Sequence, residues 1–166
     1  RPHVAATFGP DGGYGHPDHI AISQFAGASI VLAADSTWDD SHEPHRVSKF
    51  YYMAWSRAKW HAYQAALKKL VSNVDGVERQ EVPWADRAIT TVDDTTGVWT
   101  TVWRAVSCHR TQMSIYGKLE HLSEDHHRAL WEKQEYYRVF SSVNGGGKIE
   151  TDLYEGLRPG KDNAHG

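Results

Sequence analysis

The stretch GGYGHPDHIAIS, residues 12–23, joins a glycine-rich turn to the start of a long apolar segment. Glycine tolerates positive φ and close backbone approach, whereas Pro17 suits the first turn of a helix and Asp18 suits the positive end of its dipole. The run HVAATF, residues 3–8, is β-branched and aromatic and ends at a Gly-Pro pair. The pattern therefore predicts a strand, a loop and then a helix from Pro17 onward.

The rest of the chain continues this alternation. Further strands are predicted at KFYYMAW (49–55), RAITTV (87–92) and EYYRVFSSV (135–143). Further helices are predicted over 56–73, 96–113 and 123–134, the last with Ser123 as its N-cap. Strands that alternate with helices predict an α/β fold with a mostly parallel sheet.

Composition and charge exclude several function classes. The 166 residues carry 18 Lys and Arg against 21 Asp and Glu, a net charge of -3, so there is no basic field to attract nucleic acid. No apolar run approaches the ~20 residues that a membrane-spanning helix needs. The single cysteine, Cys108, cannot form an internal disulfide, which is compatible with the cytoplasm. We expect a cytoplasmic protein, although secretion stays open.

The glycine turn concentrates titratable groups at a position where α/β proteins bind ligands. In such folds, ligands bind beyond the carboxyl ends of strands, at the starts of helices. His16 and His19 are three residues apart, so both rings project to one side if they lie on the first helical turn. A neutral imidazole is a good zinc ligand, and a second one can act as an acid. The same spacing also occurs in helix caps and on plain surfaces, and a zinc site needs more ligands than these.

Several motifs resemble one family. GGYGHPDHIAIS resembles the second signature of the LmbE-like superfamily, also called the GlcNAc-phosphatidylinositol de-N-acetylase or PIG-L family. Matching segments follow in order down the chain: KFYYMAWS, VWRAVSCHRTQM with its H-x-[ST]-Q ending, and YYRVFSSVNGGGKIETDLYEGL. The resemblance implies that residues 1–158 are the C-terminal portion of a single Rossmann-like three-layer αβα sandwich. The residues at the end of the chain predict a flexible tail over 159–166. Whether the sheet is complete at its N-terminus stays open.

Members of this family are zinc-dependent amidohydrolases that remove an acyl group, usually acetyl, from an amino sugar. The resemblance implies that His19 is a zinc ligand. It implies that His16 stabilises the oxyanion or protonates the amine, that the Asp18 carboxylate pairs with that imidazole, and that Tyr14 reaches the substrate carbonyl. The expected substrate is an N-acetylglucosaminyl conjugate or a related amidated sugar.

The sequence departs from the family pattern in one respect. The family's first motif, A-H-P-D-D, supplies two further zinc ligands and the general base, and it does not occur in these residues. We expect an N-terminal segment or a separate chain of the same protein to supply them, and no activity from this chain alone. Two alternatives stay open, a thiol-conjugate amidase of the same family and a non-catalytic carbohydrate-binding relic. The oligomeric state is open as well.

Six further positions complete the expected site. Trp38 and His45 lie in the polar loop over residues 36–46, which is long enough to cover a sugar, so both are predicted to bind substrate. His109 and Gln112 match the H-x-[ST]-Q motif, and we expect them to bond backbone near the active-site turn. Gly13 and Gly15 are expected to shape that turn.

Overall fold

The structure, a computed structural model, describes residues 1–38, 41–67 and 71–158. Its main sheet has four strands in the order β1-β2-β6-β5. They are β1 (Val4–Thr7), β2 (Lys49–Met53), β5 (Thr91–Asp94) and β6 (Lys133–Ser141). All four overlap segments that the sequence predicts as strands, although β5 extends two residues beyond its predicted end and β6 begins two residues before its predicted start. Helices lie between strands that are consecutive in this list. The α/β class is therefore confirmed, and the architecture is consistent with a Rossmann-like αβα fold.

The described sheet is mixed, and three of its four strands share one direction. β1 and β2 pair in parallel and β5 points the same way, whereas β6 runs antiparallel between β2 and β5. The register explains the reversal, because Asp94 at the end of β5 lies opposite Lys133 at the start of β6. The helical connection between these strands leaves and returns at the same end of the strands, whereas a parallel pair needs a crossover to the opposite end.

Two helices begin where local signals predict. Helix α2 (Pro17–Ala34) has proline in its first turn, and α6 (Glu124–Trp131) is capped by Ser123, whose side chain accepts a hydrogen bond from the backbone N–H of His126. These starts depend on residues within one turn of the helix, which is why the sequence predicts them well.

The helix predicted over residues 56–73 is shorter than expected. Helix α3 (Arg57–Leu67) is followed by a hairpin of β3 (Ser72–Val74) and β4 (Val77–Arg79); the predicted positions 68–70 lie outside the described residues. Asp75 and Gly76 form the turn with φ of 52° and 79°. An Asp-Gly pair is a strong hairpin signal, because a two-residue turn that follows the strand twist needs positive φ at both positions.

The helix predicted over residues 96–113 is divided in two. Helix α4 (Trp99–Ser107) ends before Cys108, and α5 (Arg110–Tyr116) begins after His109, whose ψ of 62° is not helical. Apolar periodicity alone does not reveal such a break.

The largest apolar cluster lies where the helices meet. It consists of Tyr63, Leu67, Leu119, Leu130 and Trp131. Trp99 and Trp103 pack against this cluster from α4. The tryptophans of α4 therefore contribute to the core.

A buried charge network fastens the C-terminal segment to the sheet. Glu150 is 1% exposed and forms an ion pair with Lys49 at 2.6 Å. Its carboxylate also accepts hydrogen bonds from the hydroxyls of Tyr51 and Thr91 and from the Asn144 amide. Burial alone would raise the pKa of Glu150, but the bonds from these partners lower it to about 2.

Helix α2 is apolar but poorly covered. Ser23 is its only buried residue, and Phe25 and Val31 are 65% and 70% exposed. Within the described residues, no helix has the length and apolarity required to cross a membrane. The predicted tail over 159–166 lies outside the described residues, and the assignment of residues 1–158 to part of one domain stays a proposal.

Replacing Glu150 by alanine should leave Lys49 buried without a counterion, at a cost of about 3–5 kcal/mol in the free energy of unfolding. Because the folded-state pKa is depressed, the stabilisation should be complete above pH 4.5 and fall as the pH drops towards 2. Denaturant titrations of the wild type and Glu150→Ala between pH 7 and pH 2 measure both effects.

The control is Glu120→Ala, since this exposed carboxylate should cost less than about 0.5 kcal/mol. Equal stability of Glu150→Ala and Glu120→Ala at pH 7 would show that the network does not fasten the C-terminal segment.

Candidate active site

The site begins where β1 ends. Asp11 accepts a hydrogen bond from the backbone N–H of Gly13 at 3.3 Å, and the N–H of Gly12 donates to the carbonyl of Gly9 at 2.9 Å. The short helical turn α1 (Gly12–Gly15) follows, with φ of 66° at Gly12 and 75° at Gly13 and Gly15. The turn therefore consists largely of conformations that only glycine adopts at little cost.

Gly12 is also required by its surroundings. A Cβ atom there would lie 2.7 Å from Cγ1 of Ile20 and 3.1 Å from its backbone nitrogen. The first turn of α2 therefore packs directly on Gly12, which holds the side chains of that turn against the loop.

His16 is the N-cap of α2. Its Nδ1 accepts a hydrogen bond from the backbone N–H of Asp18 at 3.1 Å. A neutral imidazole that accepts a hydrogen bond at Nδ1 carries its proton on Nε2, so the Nε2–H of His16 is a hydrogen-bond donor. The structure differs here from the pairing that the family resemblance implies, because the contact comes from the Asp18 backbone and not from its carboxylate.

His19 lies between two rings. Phe8 stacks on it at a centroid distance of 3.8 Å with planes 7° apart, and His16 lies on it at 4.7 Å. Nδ1 of His19 lies 3.1 Å from the carbonyl oxygen of Gly12 and is suited to donate to it. Burial lowers the pKa of His19, with a further reduction from nearby His16. The arrangement favours a neutral ring whose Nε2 lone pair is available to a metal.

Tyr14 completes the group of four predicted residues. Its ring centroid is 5.3 Å from that of His19 and 5.8 Å from that of His16, edge-on in both cases. Tyr14, His16, Asp18 and His19 are therefore brought together as the sequence predicts. Their individual roles stay predictions.

A pocket of about 340 Å³ opens beside this turn. Most of its wall is apolar and reaches the helical core: Phe8, Met53, Trp55, Tyr63, Leu67, Val106, Leu119 and Trp131. Polar side chains come from the turn and from the hairpin: Tyr14, His19, Arg79 and Glu81. A mostly apolar cavity with a few convergent polar groups is the usual form of a small-molecule site.

Sequence reasoning missed Arg79 and Glu81. Burial raises the pKa of Glu81 to about 7, and the nearby Asp11 carboxylate contributes in the same direction, while Lys59 opposes it. The Asp-Gly pair at residues 75–76 was the available signal, because it predicts a hairpin. In the extended segment after this turn, Arg79 and Glu81 are two residues apart, so their side chains lie on the same face.

The remaining predicted residues lie elsewhere. Trp38 is 66% exposed, and His45 contacts the carbonyl of Pro2 at 2.7 Å. His109 and Gln112 are exposed, and no hydrogen bond among the described residues joins their side chains to the turn. None of the four lines the pocket. The structure therefore does not bring these residues to the site.

The described residues fit one position of a zinc site but not a complete one. The contact of His19 Nδ1 with the Gly12 carbonyl orients a neutral ring and leaves Nε2 for the metal, as in zinc-binding histidines. However, no group of three or more His, Cys, Asp or Glu side chains in the described ranges could hold a metal ion. Any further ligands must come from other residues.

Comparison with known proteins shows which enzymes the chain resembles. No family model matches it. A 1D-myo-inositol 2-acetamido-2-deoxy-alpha-D-glucopyranoside deacetylase from Streptomyces griseus is 34% identical over 179 aligned residues, covering 98% of this chain and 52% of that enzyme. The chain is homologous to these deacetylases. An enzyme of the same name from Streptomyces scabiei is 33% identical, covering 95% of this chain and 51% of its own length. One from Rhodococcus erythropolis is 36% identical over 69% of this chain and 40% of that enzyme.

The chain thus spans about half the length of the Streptomyces relatives that it matches. The names of these relatives specify the deacetylation of a 2-acetamido sugar joined to inositol. Metal and mechanism are not part of those names.

Gly12→Ala should disrupt the site through the backbone. The new Cβ would meet Ile20 and require positive φ from alanine, so we expect a loss of about 1–3 kcal/mol in stability and displacement of His19. Thermal unfolding and the chemical shifts of the His19 ring measure these effects.

Gly27→Ala in α2 is the matched control, because nothing lies within 4 Å of its Cβ position. It should stabilise the protein by up to about 1 kcal/mol. If both variants behaved alike, the close contact at Gly12 would not constrain the site.

Proposed function

We propose that this chain forms part of an LmbE-like N-deacetylase that hydrolyses the acetamide of an N-acetylglucosaminyl conjugate or a related amidated sugar. The observation that carries the proposal is the stacked arrangement of His16 and His19 at the start of α2, beside the pocket. Homology to 2-acetamido sugar deacetylases over nearly the whole chain supports it.

The proposal includes zinc, with His19 as one ligand. Its Nδ1 contact to Gly12 and its depressed pKa leave Nε2 as a neutral donor atom for the metal. When bound, zinc would polarise the acetamide carbonyl and make hydroxide available near neutral pH. The other ligands and the general base are proposed to come from residues outside this chain's described part, corresponding to the A-H-P-D-D motif.

His16 is proposed to act on the other side of the reacting amide. Because Nδ1 is engaged by the Asp18 backbone, Nε2–H is the atom that can donate to the developing oxyanion or to the departing amine. The capping bond also fixes the plane of the ring, so the donor is oriented before substrate arrives.

Tyr14 and Asp18 support this arrangement. The Tyr14 ring stands edge-on to both imidazoles and lines the pocket, so its phenol is proposed to reach the substrate carbonyl. Asp18 orients His16 through its backbone N–H. Its carboxylate only partly offsets the burial that lowers the pKa of His19 and keeps that ring neutral. The substrate is a small amino-sugar conjugate, and the cytoplasmic location stays a prediction.

Zinc binding should depend on His19. We expect about one zinc per chain when the chain is produced together with the proposed A-H-P-D-D segment, and loss of most of that zinc in His19→Ala. Elemental analysis measures the stoichiometry, and acetate release should stop on metal removal and return with added zinc.

His121→Ala is the control, since this exposed histidine should leave the zinc content unchanged. Full acetate release from a metal-stripped sample would refute the zinc-dependent reaction.

His16 should affect catalysis more than zinc binding. His16→Asn retains a side-chain oxygen able to cap α2 but lacks a titratable donor, so we expect kcat to fall about 10²–10⁴-fold with stability and zinc content nearly unchanged. His16→Ala should show the same loss of kcat and lose about 1 kcal/mol of stability as well. Wild-type kcat in His16→Asn would mean that the imidazole only caps the helix.

A further inference from the structure

The hairpin after α3 supplies the second polar wall of the pocket. Arg79 and Glu81 are two residues apart in an extended segment, so their side chains project to the same side, and both line the cavity. The alternate residues Glu78, Gln80 and Val82 are exposed. The alternation presents one guanidinium and one carboxyl group to a cavity that is otherwise mostly apolar.

Both side chains lie directly against the glycine turn. A Cβ on Gly15 would lie 3.0 Å from Nη1 of Arg79, and one on Gly13 would lie 3.4 Å from Oε1 of Glu81. The hairpin therefore faces the segment that carries Tyr14 and His16. A ligand that reached His19 would have these two side chains on one side of it.

One polar atom of this wall has no partner among the described residues. The Nε of Arg79 is buried without a hydrogen-bond partner. No side-chain hydrogen bond or ion pair among the described residues involves the Arg79 guanidinium or the Glu81 carboxyl group, and the two do not pair with each other. Buried polar groups are nearly always hydrogen-bonded, so this unpaired guanidinium N–H, which shares the pocket with the Glu81 carboxyl group, is suited to a ligand.

We propose that Arg79 and Glu81 recognise hydroxyl groups of the substrate, the guanidinium as donor and the carboxyl group as acceptor. A pair of neighbouring sugar hydroxyls can accept from one residue and donate to the other without bringing a net charge into the apolar cavity. The inference rests on the proposed function and adds to it the residues that would select a polyol. Arg79 and Glu81 bind substrate in this scheme and take no part in proton transfer.

The test measures recognition separately from catalysis. Calorimetry on the protein with its A-H-P-D-D segment would use methyl N-acetylglucosaminide and its 3-deoxy, 4-deoxy and 6-deoxy analogues. The wild type should bind at least one deoxy analogue about 10- to 100-fold more weakly than the parent sugar. Arg79→Met and Glu81→Leu should bind the parent sugar more weakly by a similar factor and no longer distinguish it from that analogue.

The controls separate a local loss from misfolding. Gln80→Ala, on the exposed side of the same segment, should bind like the wild type, and Arg79→Lys should fall between the wild type and Arg79→Met. Equal binding of all four sugars by the wild type, or a variant that weakens every sugar by one common factor, would overturn the inference. Selective binding without acetate release would instead refute the proposed deacetylase reaction and leave hydroxyl recognition standing.

Discussion

The buried carboxylate of Glu150 is the interaction on which the position of the site depends. It joins the C-terminal segment to β2 through Lys49 and Tyr51 and to β5 through Thr91. Lys49 in turn lies opposite Val4 in the parallel register of β1 and β2. β1 leads into Phe8 and the glycine turn, so a network far along the sequence fixes the strand from which the site begins. An isolated buried charge would be costly, whereas this one is offset by an ion pair and several hydrogen bonds.

The backbone conformation of the glycine turn brings the site's side chains together after β1. Positive φ at three glycines reverses the chain, and the absence of a side chain at Gly12 lets the first turn of α2 lie against it. One consequence is that Phe8, His19 and His16 stack in succession. Each imidazole then has its Nδ1 in contact with the backbone, while no hydrogen bond among the described residues engages its Nε2. One Nε2 is therefore suited to bind a metal and the other to donate a proton.

The sequence predicted those parts of the fold that depend on neighbouring residues. The starts of α2 and α6 and the turn around His16 and His19 follow from caps, proline and glycine, whose effects extend over one turn. The antiparallel placement of β6 did not follow, because the direction of a strand depends on the end of the sheet to which a long helical connection returns, and local residue patterns do not specify this. Trp38 and His45 were placed at the site by the length of their loop, yet His45 contacts Pro2 and neither lines the pocket. Arg79 and Glu81 were missed because their role depends on a hairpin folding back onto the turn.

The electrostatics of the pocket favour a neutral, hydroxyl-rich ligand. Burial raises the pKa of Glu81 to about 7, so near neutral pH this group is divided between carboxylic acid and carboxylate. Lys59, whose pKa burial lowers to about 8, is the cation that opposes this shift, and Asp11 is the anion that reinforces it. A hydroxyl can donate to the carboxylate or accept from the acid, so it pairs with Glu81 in either state. An anionic group in its place would be repelled by the carboxylate, and a cationic one would lose its partner on protonation. The balance of charge around Glu81 therefore favours the same class of substrate as the Arg79 Nε, which has no hydrogen-bond partner among the described residues.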